Sequence, residues 1–313
     1  MKRILSIDGG GIKGVFPISF LAAVENVIEC NISDYFDLIA GTSTGGIIAV
    51  GLGMGFSAKD ILAFYEKLGP NIFKGNRFLR LIRQLGFSKY SSEPLKKALE
   101  EKFGSRLLGE SKTRLIITSQ NLETGEVYVF KTAHHPRFEV DYRKKAVDVA
   151  LATAAAPTYF PTHKSAVGEP LVDGGTYAVN PTGMAVVEAI SVLGWKAEEL
   201  KVLSLGCTFE PLNIHKRKLS LGIAAYANRI IDVFMLGQSS LSMGTASLIC
   251  EKENILRISP VVGKGRFGLD SYKEIESLKG LGSSEARKAI PKLRDLLDFS
   301  VKTDYFEPFH KIL

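Results

Sequence analysis

Hydrophobic positions along the chain alternate between short strand-like runs and longer runs with a helical period. Runs rich in β-branched and aliphatic residues predict strands at 3–7, 36–40, 114–119, 126–131, 201–205 and 255–258. Apolar residues recurring every three to four positions predict helices at 15–29, from 44 onward, and at 92–103, 145–155, 181–193, 219–248 and 283–298. Strands alternating with helices are typical of βαβ units, so we expect an α/β fold with a mostly parallel central sheet flanked by helices.

Length and composition indicate an ordinary globular chain. Its 313 residues, 45% of them hydrophobic, are enough to fill a sizeable core. No internal repeat or low-complexity linker divides the sequence, so we expect one domain spanning 1–313. Lys and Arg number 40 against 33 Asp and Glu, and the net charge of +7 favours anionic partners such as phospholipid surfaces or nucleotides.

Cysteine usage and apolar stretches bear on location. Cys30, Cys207 and Cys250 lie far apart with no C-x-x-C pair, which indicates neither a disulfide framework nor a zinc site and favours a reducing compartment. The first apolar run stops at Asp8, too soon for a signal peptide. The longest weakly polar stretch, 45–56, falls short of the roughly 20 residues that a membrane span needs. We therefore expect a cytoplasmic protein.

A glycine-rich segment follows the first predicted strand. Gly9, Gly11 and Gly14 satisfy G-x-G-x-x-G, the pattern of dinucleotide-binding loops, so a nucleotide-binding oxidoreductase is an alternative. Asp8 would repel a pyrophosphate at this place unless its side chain turns away. A Walker A loop is excluded, because no G-K-[S/T] closes the run.

The segment DLIAGTSTGG, residues 37–46, runs from a predicted strand through G-x-S-x-G into an apolar helix. This is the setting of a nucleophile elbow, in which Gly41 and Gly45 let the chain turn sharply and present the Ser43 hydroxyl. We predict Ser43 as a nucleophile. The dinucleotide alternative leaves Ser43 unexplained.

A serine nucleophile needs donors for the oxyanion that it creates. The consecutive residues Gly9, Gly10 and Gly11 expose backbone amides without side chains, and the loop follows a strand near the one that delivers Ser43. We predict that these three amides form an oxyanion hole and that Lys13 adds positive potential nearby. A solvated surface lysine is the alternative for Lys13.

Asp173 is the predicted base, because the segment LVDGG, residues 171–175, places a carboxylate at the end of an apolar run. An ordinary Asp, with a pKa of about 3.9, accepts a serine proton poorly, so this one must be partly desolvated. The alternative without a catalytic role is that Asp173 and Gly174 only form a turn. A triad of Ser43, Asp173 and His215 is another, although the basic run 215–218 disfavours the imidazolium that it needs.

Together these residues resemble the patatin-like phospholipases, a family of serine lipid acyl hydrolases. The likeness rests on D-G-G-G-I-K-G at 8–14, G-T-S-T-G at 41–45, D-G-G at 173–175 and A-P-T-Y-F-P at 156–161. It implies a three-layer α/β fold, a Ser43–Asp173 dyad in place of a triad, and hydrolysis of glycerophospholipid esters without a metal or organic cofactor. A catalytically silent, lipid-binding member of the same fold is the second alternative.

Some short bacterial members of that family are anti-phage effectors switched on by a cyclic oligonucleotide, and the resemblance implies such an activator here. Candidates for neutralising its phosphates are Lys216, Arg217, Lys218, Lys264 and Arg266. A phospholipid membrane surface is the expected substrate, which places the protein at the periphery of the inner membrane. No DNA or RNA polymer is expected as a partner, and a homo-oligomer is a candidate assembly.

Two further stretches have apolar faces at helical spacing. Residues 77–85 read as a short basic amphipathic helix that would dock on anionic lipid or pack on the core. In the long helix at 219–248 we expect one apolar stripe to pack in the core, formed by Ala227, Ile230, Ile231, Phe234 and Leu241.

Overall fold

The computed structural model describes residues 1–73, 87–211 and 230–312, and the fold is given for these ranges. Their strands are β1 Lys2–Ile7, β2 Leu38–Thr42, β3 Arg114–Asn121, β4 Val127–Lys131, β5 His163–Lys164, β6 Pro170–Asp173, β7 Leu200–Leu205 and β8 Ile255–Ile258. Their helices are α1 Val15–Ile28, α2 Thr44–Gly53, α3 Ala58–Phe73, α4 Glu93–Phe103, α5 Ala146–Ala154, α6 Thr182–Ser191, α7 Ile230–Ile249 and α8 Ile275–Leu297.

All these strands join one mixed sheet. Strands β3, β2, β1, β7 and β8 lie side by side in that order and run parallel. Strands β4 and β6 pair with β3 in the antiparallel sense, and β5 extends the sheet beyond β6. The predicted α/β fold with a mostly parallel sheet is therefore confirmed.

Helices cover both faces of the sheet and make three layers. Along β1, side chains alternate between faces, so that Leu5 and Ile7 join the larger core while Ile4 joins the smaller one. The larger core packs against α1 to α5 and α8, and the smaller against α6 and α7. Among the largest fully buried side chains are Phe16 and Phe20 of α1, which place this helix at the centre of the larger core.

Helix α1 is the most apolar long segment of the described chain. The window Gly11–Ile28 is long and apolar enough to cross a membrane by composition, yet 61% of it is buried inside the fold. The buried core helix of a folded protein passes this test of length and composition as readily as a membrane span does. Its Glu25 carboxylate accepts the N–H groups of Ile32 (2.9 Å) and Ala58 (2.8 Å), and so ties α1 to the segment that follows it and to the start of α3.

Helix α8 begins at Ile275, eight residues before the predicted start at 283. Its Gly282 crosses α1 so closely that a Cβ there would lie 2.6 Å from the carbonyl oxygen of Phe16. Helix α3, whose interior holds Pro70, and the short antiparallel strands β5 and β6 were not predicted. A two-residue strand carries too little periodicity to be read from sequence.

The apolar stripe of α7 does not pack in the core. Ile230, Ile231, Phe234 and Leu241 are 36%, 58%, 61% and 72% exposed, so that prediction was wrong for all four. The helix instead turns Ala246 and a row of polar side chains toward the rest of the fold. The predicted amphipathic helix at 77–85 lies outside the described residues. So do residues 219–229 of the predicted long helix, which include Ala227 of its stripe.

Candidate active site

The pairing register of three strands brings Ser43 and Asp173 together. Thr42, the last residue of β2, pairs with Thr118 of β3, and the next residue of β3, Ser119, pairs with Asp173 at the end of β6. Strand β4 occupies one side of β3 along residues 116–120, so β2 and β6 share the other side and their ends meet there. Ser43, directly after Thr42, therefore lies beside Asp173.

Ser43 occupies a strained turn between β2 and α2. Its φ of 55° and ψ of −124° are rare for a residue with a side chain, and such a conformation costs about 1–3 kcal/mol. The turn is tight, since a Cβ at Gly45 would lie 2.2 Å from the carbonyl oxygen of Ile7 and one at Gly41 would lie 2.3 Å from that of Gly45. The backbone N–H of Ser43 donates to Thr153 Oγ1 at 2.9 Å. The half-buried Ser43 side chain is thus held out of the helix that follows.

Asp173 is buried, with 5% of its surface exposed. Its Oδ1 accepts the N–H of Gly175 at 2.7 Å, and its own N–H donates to the carbonyl of Ala155 at 3.1 Å. Burial raises the pKa of its carboxyl from 3.8 to about 6, against the lowering by hydrogen bonds from the Ser43 hydroxyl and from Gly175. At neutral pH Asp173 is therefore a carboxylate that accepts a proton more readily than an ordinary Asp, and it faces the Ser43 hydroxyl.

The glycine loop lies against the nucleophile. A Cβ at Gly9 would sit 3.2 Å from the Ser43 Cβ. The Gly9 N–H, however, donates to the carbonyl of Val179 at 2.9 Å, so this amide is already engaged. For Gly10 and Gly11 the described chain supplies no acceptor for the amide. The predicted set of three oxyanion donors is thus reduced to two in this structure.

The glycines of this loop also serve its packing. Gly11 has a φ of 59°, and a Cβ there would lie 2.3 Å from the carbonyl oxygen of Leu269, which accepts the N–H of Ile12 at 2.9 Å. The close approach of Leu269 thus accounts for the glycine at position 11 without a bound nucleotide. The dinucleotide-binding alternative therefore gains no support.

The charge of Asp8, at the start of the loop, is balanced by a residue that sequence reasoning missed. Arg257 of β8 donates from Nη1 to Asp8 Oδ1 and to Ser204 Oγ, both at 2.8 Å, and from Nη2 to Asp8 Oδ2. Burial raises the pKa of Asp8, and the guanidinium opposes that rise. The pair fixes the strand end from which the glycines project. Arg257 could have been suspected only as a charged residue within an apolar strand.

Lys13 is half-buried beside this loop. Burial raises the pKa of the Cys207 thiol to about 12, and the Lys13 ammonium is close enough to oppose that rise. Cys207 itself packs on the loop, because a Cβ at Gly10 would lie 2.4 Å from its sulfur. The proposed contribution of Lys13 to the oxyanion site stays a prediction.

The described histidines engage partners other than Ser43 and Asp173. His134 bonds through Nε2 to Glu188 at 3.0 Å, and burial lowers its pKa. His163 lies 3.6 Å from Asp148. His215, the third member of the alternative triad, lies outside the described residues. In the part of the chain that the structure describes, no group of three His, Cys, Asp or Glu side chains could hold a metal ion.

Tyr65 of α3 is a further support that the sequence analysis missed. Its buried hydroxyl donates to the carbonyl of Thr44 at 3.0 Å and lies 2.6 Å from Thr44 Oγ1. Thr44 begins α2 directly after Ser43, so Tyr65 anchors the helix that carries the nucleophile. No motif around Tyr65 in the sequence marks it as such a support.

This arrangement suits acyl transfer. A hydroxyl faces a basic carboxylate. Backbone amides without acceptors lie on the adjoining loop, where they could donate hydrogen bonds to a tetrahedral oxyanion. The roles of Ser43, Asp173, Gly10 and Gly11 in a reaction stay predictions of this geometry.

Comparison with known proteins agrees with the geometry. Residues 5–186, more than half of the chain, match the family model described as Patatin-like phospholipase. A protein of Pseudomonas aeruginosa named cGAMP-activated phospholipase is 40% identical over 243 residues, covering 76% of this chain and 72% of that protein. A protein of the same name from Vibrio cholerae is 35% identical over 265 residues, covering 76% and 75%. Patatin-03 of Solanum tuberosum is 32% identical over 267 residues, covering 78% and 65%.

Among solved structures, VipD of Legionella pneumophila aligns with a TM-score of 0.43 at 14% identity. That alignment covers 89% of this chain and 66% of VipD.

Proposed function

The chain belongs to the patatin-like phospholipase family and is a lipid hydrolase, and we propose that it cleaves glycerophospholipid esters through Ser43 and Asp173. The observation that carries this proposal is the contact between the strained Ser43 and the buried Asp173, whose pKa of about 6 suits a base at neutral pH. The intact pair also disfavours a catalytically silent member of the family.

In the proposed reaction the Ser43 oxygen attacks the ester carbonyl while Asp173 takes the hydroxyl proton. The tetrahedral oxyanion accepts N–H groups from Gly10 and Gly11, which are free of other acceptors among the described residues. Asp173 then returns the proton to the leaving lysophospholipid alcohol, and the acyl-enzyme forms. Asp173 next takes a proton from a water molecule, which attacks the acyl-enzyme carbonyl; the Ser43 oxygen then leaves with the proton from Asp173, and a fatty acid is released.

We further propose that a cyclic oligonucleotide activates this hydrolysis as part of antiviral defence. Support comes from three relatives named cGAMP-activated phospholipase, which are 35–40% identical to this chain. Lys264 and Arg266, both exposed, precede Leu269, whose carbonyl holds the glycine loop. A phosphate bound by these two side chains would act on a segment that touches the candidate site. Residues 216–218, the other predicted phosphate contacts, lie outside the described residues.

The test is product analysis on phospholipid vesicles. The protein is incubated with mixed vesicles, with and without a panel of cyclic dinucleotides that includes cGAMP, and products are identified by mass spectrometry. We expect fatty acid and lysophospholipid only with the activating nucleotide, and none from Ser43→Ala or Asp173→Asn. Folded protein that releases no fatty acid under any of these conditions would refute the proposed hydrolysis.

Two further readouts separate the parts of the proposal. A fluorophosphonate should label Ser43 in the wild type, which tests the nucleophile without lipid. Equal hydrolysis with and without every nucleotide would leave the lipase standing and remove the activation. We also propose that the protein acts at the cytoplasmic face of the inner membrane. Recovery of the protein in the soluble fraction, with no transfer to membranes when the nucleotide is added, would contradict this location.

A further inference from the structure

The loop 174–180 begins at the candidate base and fixes it. The Thr176 hydroxyl donates to the backbone carbonyl of Asp173 at 3.0 Å, and the Gly175 N–H donates to the carboxylate at 2.7 Å. The direction in which this carboxylate points therefore depends on the conformation of the first half of the loop.

The second half of the same loop touches the other two parts of the site. The hydroxyl of Thr42, the residue directly before Ser43 in the chain, donates to the carbonyl of Ala178 at 2.6 Å. The carbonyl of Val179 accepts the N–H of Gly9 at 2.9 Å. A shift of this one loop would thus move the base, the nucleophile and the glycine loop relative to one another.

One side chain of α7 holds this loop at two points. Gln238 Nε2 donates to the carbonyl of Thr176 at 2.9 Å, and Gln238 Oε1 accepts the N–H of Val179 at 3.2 Å. The carboxamide of Gln offers a donor and an acceptor in one rigid plane at this length, which neither an apolar side chain nor an ionised carboxylate does. Because α7 is itself packed on the sheet through Ala246, Gln238 joins the loop to a fixed support.

We propose that Gln238 is a positioning residue for the hydrolysis, an inference that rests on the proposed function. It touches no reacting atom in this arrangement. Its carboxamide restrains Thr176 and Val179, and through them keeps Asp173 and Gly9 in register with Ser43. The chemical step depends steeply on such register, since a displacement of about 1 Å can lower a rate about a hundredfold.

The first test compares two variants of the same helix. Gln238→Leu keeps the size of the side chain and removes both hydrogen bonds. The matched control is Ser239→Ala, which removes the bond from Asn180 Nδ2 to Ser239 Oγ (3.3 Å) between the same helix and the same loop. We expect Gln238→Leu to lower kcat on activated vesicles about ten- to a hundredfold with KM unchanged, and to slow fluorophosphonate labelling of Ser43 by the same factor. Ser239→Ala should stay near the wild type in both measurements.

The second test uses a variant that is rescued by protonation. In Gln238→Glu the ionised carboxylate can still accept from Val179 but cannot donate to Thr176, whereas the protonated acid can do both. The ratio of its kcat to that of the wild type should therefore rise as pH falls, although both enzymes slow down when Asp173 is protonated. A residue needed only for folding would give a ratio independent of pH.

The outcomes separate this inference from the proposed function. A wild-type protein that neither hydrolyses lipid nor reacts with fluorophosphonate overturns the proposed function. An active wild type with Gln238→Leu at full kcat and full labelling rate overturns only the role of Gln238. If Gln238→Leu fails to fold, the pH dependence of the Gln238→Glu ratio decides, and a flat ratio overturns the inference.

Discussion

Replacing Asp173 by Asn should remove activity and stabilise the fold at the same time. The side chain keeps its shape and loses its charge. Burial raises the pKa of Asp173 from 3.8 to about 6, and a shift of about 2 pKa units corresponds to roughly 3 kcal/mol of unfavourable ionisation in the folded state. Asparagine avoids that cost, because it is neutral in both states.

The sign of the effect fixes its pH window. The carboxyl pKa is higher in the folded protein than in the unfolded chain, so the folded state loses stability as pH rises through about 6, relative to a neutral side chain. We expect Asp173→Asn to exceed the wild type in free energy of unfolding by up to about 3 kcal/mol at pH 8. The gain should shrink through pH 6 and vanish near pH 4.

Activity should follow the same titration in the wild type. The base must be ionised, so kcat/KM should fall about tenfold for each pH unit below about 6 and level off above it. Asp173→Asn should lose turnover by orders of magnitude at every pH.

Two measurements check this reasoning. Thermal melts of both proteins between pH 4 and 8 give the stability difference, and fatty acid release from activated vesicles gives the pH profile. Asp304→Asn is the matched control, because this carboxylate is exposed and its removal should change neither curve. An Asp173→Asn protein that melts at or below the wild type at pH 8, together with a wild-type rate that does not change between pH 5 and 7, would refute it.

Three other changes test the supports of the site. Ser43→Gly should exceed Ser43→Ala in free energy of unfolding by about 1 kcal/mol, because glycine accepts the φ of 55° and alanine does not; equal free energies would show that the turn is unstrained. Arg257→Met should lower the free energy of unfolding by about 3–5 kcal/mol because it leaves the Asp8 carboxylate buried alone, and adding Asp8→Asn should restore part of the loss. A double variant no more stable than the single one would contradict that pairing. Tyr65→Phe should cost about 1–3 kcal/mol, since the Thr44 oxygens lose a buried donor, and unchanged thermal melts would exclude such a role.

Much of the fold could be predicted because its central elements are strongly periodic. Strand 255–258 was predicted with the observed bounds, and helix 92–103 differs by one residue at its start. The turn at Ser43 could be predicted from the sequence, because a serine with glycines on both sides, between an apolar strand and an apolar helix, favours a tight strand-to-helix turn. The turn there has the predicted strand-to-helix setting.

The rest depends on contacts between distant parts of the chain, which local pattern does not encode. Nothing near Gly9 in the sequence indicates that Val179 will take its amide, and nothing near Asp8 indicates Arg257. The stripe on α7 has the spacing of a buried face, but hydrogen bonds from Gln238 and its neighbours turn the opposite side of the helix toward the fold. Spacing alone cannot tell which side of such a helix is buried.

The sign of the stability change distinguishes residues that react from residues that hold them. Ser43 keeps a strained backbone and Asp173 keeps a desolvated carboxylate, and each is unfavourable for folding by an amount that substitution relieves. Tyr65 and Arg257 are satisfied in place, so their removal leaves a buried group without its partner. At pH 8, substitution at these four positions should therefore yield inactive variants that are more stable than the wild type for Ser43→Gly and Asp173→Asn, and less stable variants at Tyr65 and Arg257. If Ser43→Gly and Asp173→Asn were instead destabilised like the supports, these two residues would be part of the scaffold, and the chemistry would have to be sought elsewhere.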